Sequence, residues 1–251
     1  MKKHIPNILT CINLLAGFMG IVLLMNAPQE YSLAFFCLAI SAICDFLDGF
    51  AARALKVHSI IGKDLDSLAD LVSFGVLPAI VVFQILYYSI YESGIGANNP
   101  IITTILCGSI AGTIVVFSAL RLAKFNNDTR QQYDFIGLPT PANAIFWIGV
   151  TAWLPSSSCC EGACCGSANY GLVATIIGLV VVFNYLLVSE IPILSMKMQN
   201  YTWKNNIAKY IFLIITVFLG IFLQEKALSP VIITLIIVSI GNKIIDFKKN
   251  K

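Results

Sequence analysis

The chain has 251 residues, 58% of them hydrophobic and 12% charged, with a formal net charge of +3. Soluble domains carry about 25% charged residues, and the mean hydropathy here is +0.84. This excludes a soluble globular enzyme and indicates an all-α polytopic membrane protein; the mild positive balance gives no nucleic-acid signal, so no nucleic-acid partner is expected.

A spanning helix needs about 20 mostly apolar residues. In chain order the predicted spans are roughly 8–26, 31–54, 66–91, 101–124, 140–154, 170–194, 207–224 and 229–246, the fifth being short. Met1–Ala27 has a basic start and an apolar run, as a signal peptide would, but the run is long and no clean A-x-A site follows, so cleavage is not expected. If the connections alternate, the N-terminus, 53–63, 121–134, 195–209 and the C-terminus hold 15 of the 16 Lys and Arg. The other side holds Lys226, with Glu30, Glu92, Glu161 and Glu225. The positive-inside rule then puts both termini in the cytoplasm and makes eight spans the expected count.

Pro6 suits the start of the first span. Gly137, Pro139 and Pro141 mark a rigid lead into the fifth. Trp147, Trp153 and Trp203 are expected at the membrane interfaces. His4 and His58 are single histidines without a Cys/His metal spacing and are expected at the surface.

The second and third spans carry the chemistry. Asp45 and Asp48 are three apart and share a helix face; Asp66 and Asp70 are four apart and share another. The turn between them is short, so the helices are antiparallel neighbours and four carboxylates can converge. Counted from Tyr31, Asp45 lies about 21 Å along its helix, inside a core of about 30 Å. An aspartate at such depth costs about 2.5–3.5 kcal/mol, a cost that a bound cation offsets. Hard carboxylate oxygens suit Mg²⁺ or Mn²⁺ together with substrate phosphates, and two such ions could serve both the attacking and the leaving oxygen of a phosphoryl displacement. Arg53 suits a phosphate or an acidic neighbour. Helix capping and pairing with Arg53 or Lys63 is the structural alternative, preferred for Asp64; an ion or proton pathway is the functional one.

The spacing Asp45-x2-Asp48-Gly49-x2-Ala52-Arg53-x8-Gly62-x3-Asp66-x3-Asp70 resembles the signature of the CDP-alcohol phosphatidyltransferase family at each of its fixed positions. The resemblance implies that an alcohol attacks the lipid-bearing phosphorus of CDP-diacylglycerol and that CMP leaves. It implies metal ligation by Asp45, Asp48, Asp66 and Asp70, with Asp70 also the general base, and a CDP site shaped by Gly49, Ala52, Arg53 and Gly62. On this reading 1–251 is a single membrane domain, 1–195 its phosphatidyltransferase core and 196–251 two additional C-terminal helices.

Further segments bear on the acceptor: Ile5–Thr10, Ser73–Ala79, Ala119–Asn126, Gly137–Ala142 and Ser189–Lys197 together resemble the integral-membrane phosphatidylserine synthase branch of that family. L-serine is the implied acceptor, with a sister enzyme using glycerol 3-phosphate or an inositol phosphate as the alternative; a homodimer is the implied assembly, and the inner (cytoplasmic) membrane, with the site facing the cytoplasm, the implied location. Arg121 and Lys124 could meet a serine carboxylate or act only as positive-inside anchors. Asn126, Ser73 and Thr140 could orient a small polar acceptor or serve as caps and turns. Asn7 and Thr10 could touch the pyrophosphate or cap the first helix.

Cys11, Cys37, Cys44 and Cys107 read as small apolar residues within spans. Cys159, Cys160, Cys164 and Cys165 crowd the loop placed outside, where local disulfides or a soft metal are the alternatives and no catalytic role is expected.

Overall fold

The computed structural model describes residues 4–27, 31–57, 60–91, 99–127, 135–154, 170–194 and 206–249. Helices dominate because apolar runs in lipid must satisfy their backbone groups internally. They are α1 (His4–Asn26), α2 (Tyr31–Ala54), α3 (Ile60–Asp70), α4 (Leu77–Tyr91), α5 (Pro100–Asn127), α6 (Thr140–Thr151), α7 (Tyr170–Val188), α8 (Ile207–Leu223) and α9 (Leu228–Lys249). Two short strands, β1 (Phe135–Ile136) and β2 (Pro192–Ile193), pair antiparallel, with Phe135 opposite Ile193.

Among the described residues, six helical runs are long and apolar enough to cross a membrane. The all-α, multi-pass expectation therefore holds, with several boundaries corrected. The third run begins at Ile61, ahead of the expected 66, and passes through a π-helical turn, Leu71–Val76, into α4. The expected fifth span is only the 12 residues of α6, about 18 Å at helical rise, too short for a full crossing. The sixth ends at Val188, because Pro192 lacks an N–H and the chain there joins β2. The last run, Ile207–Lys243, is two helices broken at Gln224–Ala227, where Gln224 adopts φ 48°.

The third run is the centre of the bundle: 61% of its apolar window is buried in protein, against 28% for α1 and α2. Phe74, Leu77, Val81 and Val82 on it are fully buried. Phe146 of α6 stacks on Phe183 of α7 at 3.8 Å. Trp147, expected at an interface, is instead fully buried and donates its Nε1–H to Oδ1 of Asn143. Trp153 is half exposed at the end of the bundle and donates to the carbonyl of Lys226. His4 is exposed. His58, Trp203 and the Cys159–Cys165 loop lie outside the described residues.

Three backbone features position the site. Helix α2 ends in a Schellman turn: Lys56 has φ 52°, its N–H bonds the carbonyl of Arg53, and the Val57 N–H bonds that of Ala52. This turns the chain from Asp48 toward Asp66. Gly17 lets α1 touch the π-helical turn, since a Cβ there would lie 2.7 Å from the Ser73 Cα. Gly137, at φ 79°, starts the link into α6; its N–H bonds Ile191 O, and the Leu138 N–H bonds Leu186 O.

Candidate active site

The end of α2, the start of α3 and the end of α5 meet on one face, where Lys63 donates to the carbonyl of Asn126 at 2.8 Å. Here Asp45, Asp48 and Asp66 converge: one carboxylate oxygen from each lies within 4.8 Å of the other two. Helical spacing presents Asp45 and Asp48 from one face of α2, and the Schellman turn brings Asp66 of α3 opposite them. Asp70, one turn further along α3, stands outside that triplet but within Coulombic reach of all three acids. Among the described residues none of the four meets a Lys or Arg at ion-pair distance, so the pairing with Arg53 or Lys63 considered above is absent there.

Like charges this close repel by roughly 3–4 kcal/mol per pair at an effective dielectric near 20. Asp66 Oδ1 is also buried without a hydrogen-bond partner among the described residues. A hard divalent cation answers both features, since carboxylate oxygens are its natural ligands. The triplet therefore fits such an ion on the chemistry of its donors.

Beside the triplet lies a cleft of about 280 Å³ lined by Asn7, Thr10, Gly49, Ala52 and Gly62, together with Asp48, Asp66 and Lys63. All the residues expected at the CDP site except Arg53 thus share one cavity. Arg53 is exposed and donates through Nε to the carbonyl of Gly49 at 3.0 Å. A Cβ on Gly49 would meet nothing within 4 Å, so this glycine faces open space. Thr10, buried, places its hydroxyl 2.6 Å from Asp48 Oδ2 and 3.0 Å from the carbonyl of Pro6; its single hydrogen favours the carboxylate.

The expected acceptor residues are less concentrated. Arg121 is 6% exposed, donates through Nε to the carbonyl of Leu138, lies over the Phe125 ring, and sits within Coulombic reach of Asp70. Lys124 turns away, toward Glu190 at 3.7 Å and the carbonyl of Val188. Asn126 donates to Ser67 Oγ at 2.7 Å. Ser73, within the π-helical turn, is buried and donates to the carbonyl of Asn13; Thr140, also buried, opens α6 after Pro139.

One residue escaped the sequence reading. Asn13 donates through Nδ2 to Asp70 Oδ1 at 3.2 Å. Its signal was a polar residue in an apolar span, three positions after Thr10 and so on the same face.

The family model for CDP-alcohol phosphatidyltransferase matches residues 3–222. A Helicobacter pylori (strain J99) protein named CDP-diacylglycerol–serine O-phosphatidyltransferase is 32% identical over 142 residues, 56% of this chain and 54% of that protein. Proteins of the same name from Bacillus subtilis and Methanocaldococcus jannaschii are 34% and 37% identical, over 55% and 58% of this chain and 70% and 59% of theirs. The chain thus spans about half the length of the Helicobacter relative.

Proposed function

Because the chain belongs to the CDP-alcohol phosphatidyltransferase family, we propose that it transfers the phosphatidyl group of CDP-diacylglycerol to L-serine, giving phosphatidylserine and CMP. The observation that carries this reading is the convergence of Asp45, Asp48 and Asp66 beside a cleft lined by Asn7, Gly49, Ala52 and Gly62. Members of this family use divalent metals. Asp45, Asp48 and Asp66 would hold the ion, Mg²⁺ or Mn²⁺, with Asp70 near enough to serve a second. When bound, such an ion supplies charge neutralisation at the pyrophosphate.

The chain's own groups do the rest. Gly49 leaves room for the nucleotide, and Arg53 at the rim suits a phosphate. Asp70 takes the proton of the serine hydroxyl as its oxygen bonds to the lipid-bearing phosphorus. The bond from that phosphorus to the CMP oxygen breaks, and CMP leaves toward the aqueous face. Arg121 is the best-supported partner for the serine carboxylate: it is buried near Asp70, and its two terminal nitrogens have no protein hydrogen-bond partner among the described residues. The engagement of Lys124 with Glu190 argues against the same role for it. The acyl chains stay in the bilayer throughout.

The proposed setting is an inner membrane with the site facing the cytoplasm, in keeping with the Lys and Arg on the motif side. We further propose one membrane domain, with 1–195 as the core and the C-terminal helices as its buttress; α9 meets the core where Ser239 Oγ accepts from the Leu194 N–H. A homodimer belongs to the same proposal.

An acceptor panel tests the reading. The full chain in membranes, given CDP-diacylglycerol and Mn²⁺, is expected to release CMP with serine and not with glycerol 3-phosphate. The reverse preference would replace serine as the acceptor, and no CMP with any alcohol would favour a transporter.

A further inference from the structure

We propose that Asn13 is a positioning residue for Asp70: it clamps one carboxylate oxygen and leaves the other for the reacting hydroxyl. The inference rests on the phosphatidyl-transfer reading above. Asn13 is fully buried on α1, and its Nδ2 donates to Asp70 Oδ1, 57 positions away, at 3.2 Å. Two other elements hold its backbone still. Ser41 of α2 and Ser73 of the π-helical turn both donate to the Asn13 carbonyl, at 3.1 and 3.0 Å. Gly17, one turn on, permits the second of these bonds, since a Cβ there would lie 2.3 Å from Ser73 Oγ.

Asn13 Oδ1 is buried with no hydrogen-bond partner among the described residues, as is one end each of the Gln84, Asn143 and Asn184 amides. What sets Asn13 apart is its donor end, aimed at a carboxylate, where Gln84 and Asn184 donate to a backbone carbonyl and a hydroxyl. That carboxylate directly precedes a π-helical turn, a distortion that recurs at functional sites. Asp70 Oδ2, by contrast, has no hydrogen bond among the described residues. With Oδ1 held, rotation of the carboxylate is blocked and Oδ2 keeps one direction.

The test compares full-length Asn13→Ala, Asn13→His and Gln84→Ala enzymes in detergent. For Asn13→Ala, kcat for CMP release is expected to fall about 10–100-fold, with KM for CDP-diacylglycerol and substrate-free Mn²⁺ affinity (by electron paramagnetic resonance) held within about two-fold. Asn13→His, whose ring N–H reaches a similar distance, recovers part of kcat. Gln84→Ala, which removes the buried bond from Gln84 Nε2 on α4 to the Leu24 carbonyl on α1, lowers thermal stability and keeps kcat per folded molecule. An unchanged kcat in Asn13→Ala overturns the proposal. So does a loss of Mn²⁺ or substrate affinity that matches the loss of kcat, or a Gln84→Ala enzyme with the same kcat defect. Wild-type CMP release is the separate control: release with an alcohol other than serine overturns only the acceptor, and the comparison then runs with that alcohol. No release with any alcohol overturns both readings.

Discussion

Thr10 of α1 donates a 2.6 Å hydrogen bond to Asp48 Oδ2 on α2, 38 positions away. The first helix, which carries none of the signature acids, therefore fixes one of them from outside. A hydrogen bond to one oxygen orients the other toward the neighbouring acids, as partners of metal ligands commonly do. Thr10→Val keeps the size and removes the hydroxyl. It is expected to weaken Mn²⁺ binding about 10-fold, measured without substrate by electron paramagnetic resonance. Undiminished Mn²⁺ affinity would remove Thr10 from this role.

Gly17 of α1 and Gly178 of α7 form a contrasting pair. A Cβ at Gly17 would collide with the Ser73 side chain and with its backbone at 2.7 Å, whereas one at Gly178 would meet nothing within 4 Å. Gly17→Ala is expected to cost about 1–3 kcal/mol through overpacking. Gly178→Ala should be neutral or slightly stabilising, by up to about 1 kcal/mol, from helix propensity. Thermal unfolding of both variants in detergent checks the contrast. Ser73→Ala should not rescue Gly17→Ala, because the clash with the backbone of residue 73 remains.

At Gly49 the expectation reverses. With no protein atom near a Cβ, Gly49→Val should fold normally and fill space in the nucleotide cleft. Its affinity for CDP should drop about 10-fold or more, the equivalent of about 1.4 kcal/mol, while its thermal transition stays near wild type. Titration calorimetry with CDP is the measurement, and unaltered CDP affinity would place the nucleotide elsewhere.

Gly137 supports Arg121 through the backbone. At φ 79°, with a Cβ only 2.8 Å from the Leu187 carbonyl, alanine there is strained, by about 1–3 kcal/mol. Leu138, next in sequence, accepts the Arg121 Nε–H. Gly137→Ala is therefore expected to raise KM for serine more than KM for CDP-diacylglycerol. Steady-state kinetics with each substrate varied in turn would reveal an equal rise in both, which would detach Arg121 from the acceptor.

What could be read from the sequence follows from how local each signal is. Asp45, Asp48, Asp66 and Asp70 were legible because their spacing is helical and their two helices adjoin. The cleft residues came with the same spacing, and Asn7 and Thr10 came from the polar start of α1. Asn13 carried a local signal as a polar residue on the Thr10 face, but its bond to Asp70 was not legible, since that partner is 57 positions away and no local pattern links them. The π-helical turn is likewise set by tertiary packing: Gly17 on one side and Ser118, beside Gly75, on the other. The fifth span was read as short, but the end of α6 at Thr151 was hidden because hydropathy continues through Trp153 and Leu154 after the helix has ended. Trp147 was misplaced because composition cannot tell a buried indole, satisfied by Asn143, from one in an interfacial belt.

The most direct measurement follows labelled serine into lipid. The full-length protein in mixed micelles, with CDP-diacylglycerol and Mn²⁺, is assayed for labelled phosphatidylserine and for CMP, beside an Asp66→Asn variant. The account predicts equal amounts of the two products from the wild type, neither after chelation of the metal, and neither from Asp66→Asn. CMP released without labelled lipid, or an Asp66→Asn enzyme as active as the wild type, would contradict it.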